Sequence, residues 1–220
     1  YIEILSASNE IASGRLYNVV EGTDAYFAVG FIQCFDGCQK GILVKVDKTT
    51  LAEQHWSIIP NGYTKGRLND IIHVSANGDN YLIVTGWADD GVTGNKTWIA
   101  AYNYDGTLRS TGSILHEFVT TNQGEAGAIT YEVMPDGKVK IFSASKIPVA
   151  PSGAGITRPD TDIQINVTIY NAASTSTPFS TTPSIPVTSI NQRPYGTSPN
   201  LADPITIGSD NIFNNFPPEF

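Results

Sequence analysis

The chain has 220 residues, 40% of them hydrophobic and 10% aromatic, with only 15% charged and a formal net charge of −8. That apolar content excludes a wholly disordered chain, and an acidic balance with no stripe of Lys and Arg argues against nucleic acid and anionic membrane as partners. No apolar run approaches the roughly 18 residues of a membrane span, and a surface rich in Thr, Ser, Asn and Gly at so low a charge is commoner outside the cell. The chain opens at Tyr1 with neither Met nor a basic leader, and is expected to be a processed or excised segment.

In chain order, Tyr1 to Ser6 reads as a strand without a partner in its own repeat. An echo then begins: GRLYNVVEGTDAYFAVGF from Gly14 returns as GRLNDIIHVSANGDNYLIVTGW from Gly66, and more faintly as GEAGAITYEVMPDGKVKIFSAS from Gly124. Self-similarity at a period of roughly 50 residues marks a tandem-repeat protein, in which each unit buries its apolar face by stacking on its neighbours. The first repeat predicts strands over Leu16 to Val20, Tyr26 to Ile32, Gly41 to Val46 and Ala52 to Ile58. Cys34 and Cys38 flank the turn Phe35-Asp36-Gly37. A hairpin closing there brings their Cα atoms to about 5.5 Å, which suits a disulfide, and a bridge implies an oxidising compartment. A redox or zinc pair is disfavoured, because CxxxC lacks the thioredoxin-like spacing and no further ligands lie nearby.

The second repeat predicts strands over Leu68 to Val74, Tyr81 to Trp87, Thr97 to Tyr104 and Leu108 to Leu115, with turns at Ser75 to Asp79 and Asp105-Gly106. The third predicts Ala128 to Val133, Lys138 to Ser143 and Ile163 to Tyr170, with Pro135-Asp136-Gly137 in its first turn and a long connection from Lys146 to Thr161. Beyond Tyr170 the composition turns to Ser, Thr, Pro and Asn, and proline at that density denies a central strand its donors. This stretch is expected to be an extended arm that ends in a short apolar piece, Pro204 to Ile207, and the aromatic residues Phe213, Phe216 and Phe220. The expected layout is an all-β repeat domain over 1–180, with units at about 14–60, 66–116 and 124–180, and an arm or linker over 181–220.

Four antiparallel strands per unit is the plan of a propeller blade. Tyr81 to Trp87 and Tyr102 to Leu108, with their counterparts Tyr26 to Phe31 and Val46 to Leu51, resemble the kelch-like blades of secreted and surface β-propeller proteins of bacteria, over about residues 10 to 180. The resemblance implies a propeller-like series of tandem four-stranded blades. Propellers close with about four to eight blades, and three are legible. Completion is expected as part of a longer propeller, by a degenerate blade built from the two termini, or by another copy.

The residues that carry chemistry are few. His55, His73 and His116 lack ligand spacing and read as ordinary strand residues, and no nucleophile elbow or Cys-His pairing is present. GVTGNKT, Gly91 to Thr97, imitates a phosphate-binding loop but leads into a strand where that mechanism needs a helix. The same stretch, DDGVTGNKTW, resembles the Asp-box of sialidase propellers, which is a structural device. Asp36, then Asp89 and Asp90, then Asp160 and Asp162 fall between the second and third strands of successive units, which places them on one rim with Asn95. These are the candidate ligand-binding residues. Calcium is the cation such loops would suit, although solvated turn residues are the preferred reading. A glycosidase would need two carboxylates about 5 to 9.5 Å apart across a pocket, and nothing singles out an acid with a raised pKa. Trp56, Trp87 and Trp98, with Tyr17, Tyr26, Tyr81, Tyr102 and Tyr104, offer stacking platforms for sugars, but packing between units already calls for large rings there. Asn95-Lys96-Thr97 and Asn166-Val167-Thr168 fit the N-glycosylation pattern.

The expected function is a non-enzymatic extracellular or cell-surface module for adhesion, ligand binding or assembly, with a protein or glycan surface as partner. A carbohydrate-active enzyme using the rim acids is the first alternative. The second is a structural subunit of a filament or complex, joined through Tyr1 to Ser6 or the Phe213 to Phe220 tail.

Overall fold

Alternating apolar and polar residues punctuated by Gly, Asp and Pro turns fold into strands alone in the computed structural model, which describes residues 11–34, 37–76, 78–111, 114–148, 161–170 and 179–181. Tyr1 to Ser6, Asp36, Asp160, Pro204 to Ile207 and the aromatic tail lie outside the described residues.

Three four-stranded antiparallel sheets follow one another along the chain. The first is β1 (Ile11–Glu21), β2 (Ala25–Cys34), β3 (Gln39–Asp47) and β4 (Glu53–Ile58), in that order. Cys34 and Cys38 are bridged, with Cα atoms 5.0 Å apart, and Gly37 supplies the positive φ of 83° that the turn requires. The second sheet begins with β5 (Lys65–Ala76), β6 (Asp79–Asp89) and β7 (Asn95–Tyr102). The third is β11 (Glu125–Val133), β12 (Val139–Pro148), β13 (Thr161–Tyr170) and β14 (Phe179–Thr181). Thus Phe179–Thr181 pairs with β13 inside the stretch that composition assigns to an arm beyond Tyr170.

The fourth strand of the second sheet departs from expectation. Leu108 to Leu115 does not fill that place. Part of it forms a small hairpin of β8 (Ser110–Thr111) and β9 (Ile114–Leu115), and the strand beside β7 is β10 (Glu117–Gln123). The backbone shows why. Arg109 N donates to Ala101 O at 2.9 Å, and Ala101 N donates to His116 O at 2.9 Å. The chain therefore leaves the sheet edge at Arg109, makes the hairpin, and returns at His116 to continue along β7 from Ala100↔Glu117.

Period-2 alternation decides how the sheets stack. Phe27, Val29 and Leu43 of the first sheet pack with Leu82, Val84, Trp98 and Ala100 of the second. The intervening residues of the second sheet, Tyr81, Ile83, Ile99 and Ala101, pack with Ile129, Val139, Ile141 and Tyr170 of the third. The middle sheet is buried on both faces, so YLIVTGWA and TWIAAY read as continuous apolar runs rather than alternating ones. Ala28, Ile32, Ile42 and Val44 form a further buried cluster on the face of the first sheet turned away from the second.

Candidate binding site at the inner edge of the third sheet

Each repeat motif opens its first strand with the same irregularity. Leu16 pairs with Gly30 and Asn18 with Val29, which leaves Tyr17 without a cross-strand partner. Leu68 pairs with Gly86 and Asp70 with Thr85, leaving Asn69; Ala126 pairs with Ser145 and Ala128 with Ala144, leaving Gly127. An extra residue on one strand is a β-bulge, which kinks the strand and re-aims its side chains. The kink presses a carbonyl against the neighbouring strand: a Cβ on Gly30 would stand 1.8 Å from Arg15 O, and one on Gly86 1.9 Å from Arg67 O.

The bulges form a seam because β1, β5 and β11 lie side by side. Asn18 Nδ2 donates to Asp70 Oδ1, and Asp70 Oδ2 accepts the N–H of Ile129 at 2.8 Å, so one carboxylate joins all three sheets. The residues after Gly66 and Gly124 reach back to the bulge of the preceding sheet. The Arg67 guanidinium lies 4.4 Å from the Tyr17 ring centroid and 5.7 Å from that of Phe31, a cation–π arrangement, while its Nε donates to Asn69 Oδ1 at 2.7 Å. Glu125 Oε1 accepts from Asn69 Nδ2 at 3.3 Å and stands 3.9 Å from Arg67 Nη2. Asn69 Nδ2 also donates to Ala126 O at 2.6 Å.

On the third sheet the corresponding place is open. A cavity of about 300 Å³ is lined by Glu125, Gly127, Ala128, Ala144, Ser145 and Lys146. The register makes the comparison direct, since Arg15↔Phe31, Arg67↔Trp87 and Glu125↔Lys146 are equivalent cross-strand pairs. Where the first sheet has the Tyr17 ring, the third has glycine, and an added Cβ at Gly127 would meet nothing within 4 Å.

The acids proposed for a common rim are engaged by their own loops. Asp90 Oδ1 accepts the N–H groups of Val92 and Thr93 at 2.9 and 2.8 Å, and its Oδ2 accepts from Thr93 Oγ1 at 2.7 Å and Lys96 Nζ at 3.3 Å. The Thr93 bonds come first among the causes that hold this carboxyl far below the usual range. Asp89 Oδ1 accepts the N–H of Gly91 at 2.8 Å. Asn95 pairs with Asp89 across the ladder, and its carbonyl accepts the N–H of Gly124. Asp162 lies in β13 opposite Ile147, in a strand rather than a loop, while Asp36 and Asp160 are outside the described residues. Among the described residues no three His, Cys, Asp or Glu side chains converge as a metal site requires. Of the aromatic residues, Trp87, Trp98, Tyr81 and Tyr102 are buried, whereas Tyr26 is 43% exposed.

A second group of titratable side chains, His116, Tyr170, Arg109 and Glu117, lies away from the seam, the first two of them buried. His116 sits between the second and third sheets, with Nδ1 2.7 Å from the Tyr170 hydroxyl and Nε2 2.8 Å from Thr111 Oγ1. Burial first, and then the Arg109 charge, pushes its pKa down. Arg109 pairs with Asp79 at 2.5 Å and lies 4.5 Å from the Tyr81 ring centroid. Tyr170 is pushed up to about 12 by burial and keeps its proton at neutral pH. Glu117 accepts from Trp98 Nε1 at 3.0 Å, and burial raises its pKa.

The chain matches no family model, no curated protein and no solved structure. The site is therefore read from its own chemistry: a small slot at the β11 edge of the third sheet, flanked by one carboxylate and one ammonium and floored by small residues. Sequence reasoning overlooked Arg67, Asn69, Glu125, Gly127 and Lys146. The signal was in the echo itself, at the positions where the third copy replaces Tyr17 and Asn69 by Gly127, and Phe31 and Trp87 by Lys146.

Proposed function

We propose that the chain is a non-enzymatic, extracellular, propeller-like module that binds a partner through the β11 edge of its third sheet. One observation carries this reading: the slot filled by Arg67 on the first sheet and by Glu125 on the second is a cavity on the third that no described residue fills. Same-sense stacking of four-stranded sheets around aligned first strands supports the propeller-like arrangement. The disulfide supports an oxidising compartment. No helix among the described residues is long and apolar enough to cross a membrane.

A carbohydrate-active enzyme using the rim acids draws less support, because both Asp90 oxygens are engaged by Val92, Thr93 and Lys96 of its own loop rather than turned to a pocket with a second acid. Combined peptide and glycan arrays, probed with the parent and with Gly127→Tyr, test the proposal. Binding that the parent shows and the variant loses is the expected result. Binding unaffected by the variant, or glycoside hydrolysis abolished by Asp90→Ala, overturns it.

A further inference from the structure

We infer that the cavity beside Gly127 is a receptor for an arginine side chain presented by a partner polypeptide. This rests on the binding role proposed above and names the chemistry that the slot accepts.

The chain shows what an occupied slot looks like. On the first sheet, the bulge residue Tyr17 and the strand residue Phe31 receive a guanidinium, that of Arg67 from the following sheet. The third sheet repeats the backbone of that receptor, with the same bulge and the same cross-strand register, but nothing described follows to fill it. Its walls are small, and a Cβ built at Gly127 points into open space. A long, thin side chain with a planar head fits such a slot better than a bulky ring. The lining has no aromatic residue, so it offers neither a platform for a sugar nor the ring contacts that hold Arg67 on the first sheet, and Glu125 is the group left to hold a guanidinium.

The charges point the same way. Along the seam Glu125 already stands beside one guanidinium, that of Arg67, and a cation in the cavity would meet the same carboxylate. Glu125 has one ion partner among the described residues, Arg67, at a loose 3.9 Å. A planar guanidinium supplies paired donors to such a carboxylate, which an ammonium cannot match. The net charge of −8 favours a basic partner at longer range. Lys146 is the opposing element. It occupies the place of Phe31 and Trp87, and its exposed position lets the ammonium stay in water while the alkyl stem walls the slot.

The test titrates the full chain with N-acetyl-arginine N-methylamide, followed by amide chemical shifts, with the matching blocked lysine and blocked glutamate as comparisons. Saturable shifts at Gly127, Ala128 and Ala144 to Lys146 are expected, strongest for arginine. Gly127→Tyr abolishes them, and Glu125→Gln weakens binding by about tenfold. Lys146→Met tightens arginine binding by removing a like charge. Preference for the blocked glutamate, weakened arginine binding in Lys146→Met, or shifts unaffected by Gly127→Tyr overturns the arginine receptor. So does an absence of localised shifts in the parent. If array binding remains sensitive to Gly127→Tyr while blocked arginine fails, only the ligand class falls and the binding role stands.

Discussion

His116 shows how much one side chain here depends on its protonation state. Its two ring nitrogens are both bonded, to Tyr170 and Thr111, and Arg109 stands by. Each nitrogen meets a hydroxyl that can donate or accept, and the lowered pKa fits a neutral imidazole there. A folded pKa below the unfolded value of 6.5 means that the unfolded chain binds more protons in that window. The stability that His116 contributes is thus full above pH 6.5 and is lost as pH falls through the unfolded and then the folded pKa. Glu117 acts in the opposite sense: its raised folded pKa makes the native state the tighter proton binder above the ordinary value of 4.5. Urea midpoints of the parent, His116→Gln and Glu117→Gln, measured from about pH 7.5 to about pH 5, separate the two. The expected result is a shallower acid-side decline in His116→Gln than in the parent, and a steeper one in Glu117→Gln.

The first strand of each unit is where local sequence and tertiary demand meet. Gly30 and Gly86 are required by the carbonyl that each bulge drives against the next strand, so Gly86→Ala must displace backbone rather than a pliable side chain. A loss of about 1–3 kcal/mol is expected from urea unfolding, while Ser145→Ala, at the equivalent register position of the third sheet, costs less because a Cβ is already accommodated there. Most strands were legible from alternation and from turn residues such as Asp105-Gly106 and Pro135-Asp136-Gly137, since those signals are local. The bulges were not, because a bulge shifts the alternation by only one residue, as where Leu68 and Ile71 face the same core across Asn69, and is recognised only from the pairing. The fourth strand at Glu117–Gln123 escaped notice for a related reason: Leu108 to Leu115 has a good strand pattern of its own, and the return at His116 is decided by the partner strand. Of the rim acids expected between strands, Asp90 lies after β6 but Asp89 ends that strand, and their commitment to Gly91, Val92 and Thr93 depends on loop geometry that spacing does not reveal.

For the whole molecule, the middle sheet is the common wall of two cores. Leu82 and Ile83 are adjacent in sequence and fully buried, yet they face different sheets. Leu82→Ala and Ile83→Ala should each cost about 2–5 kcal/mol. Both are expected to shift a single cooperative transition, seen identically by tryptophan fluorescence and by far-ultraviolet circular dichroism; two separated transitions in either variant would show that the cores unfold independently. The seam adds a property that neither core has. Arg67 and Glu125 each reach back to the sheet before, so the second and third units each carry a latch that the preceding unit catches. Duplicating one whole unit in a gene would therefore lengthen such a protein without inventing a new interface. Losing half a unit would leave a latch with no catch, and whole-unit steps are the changes in length that this architecture tolerates.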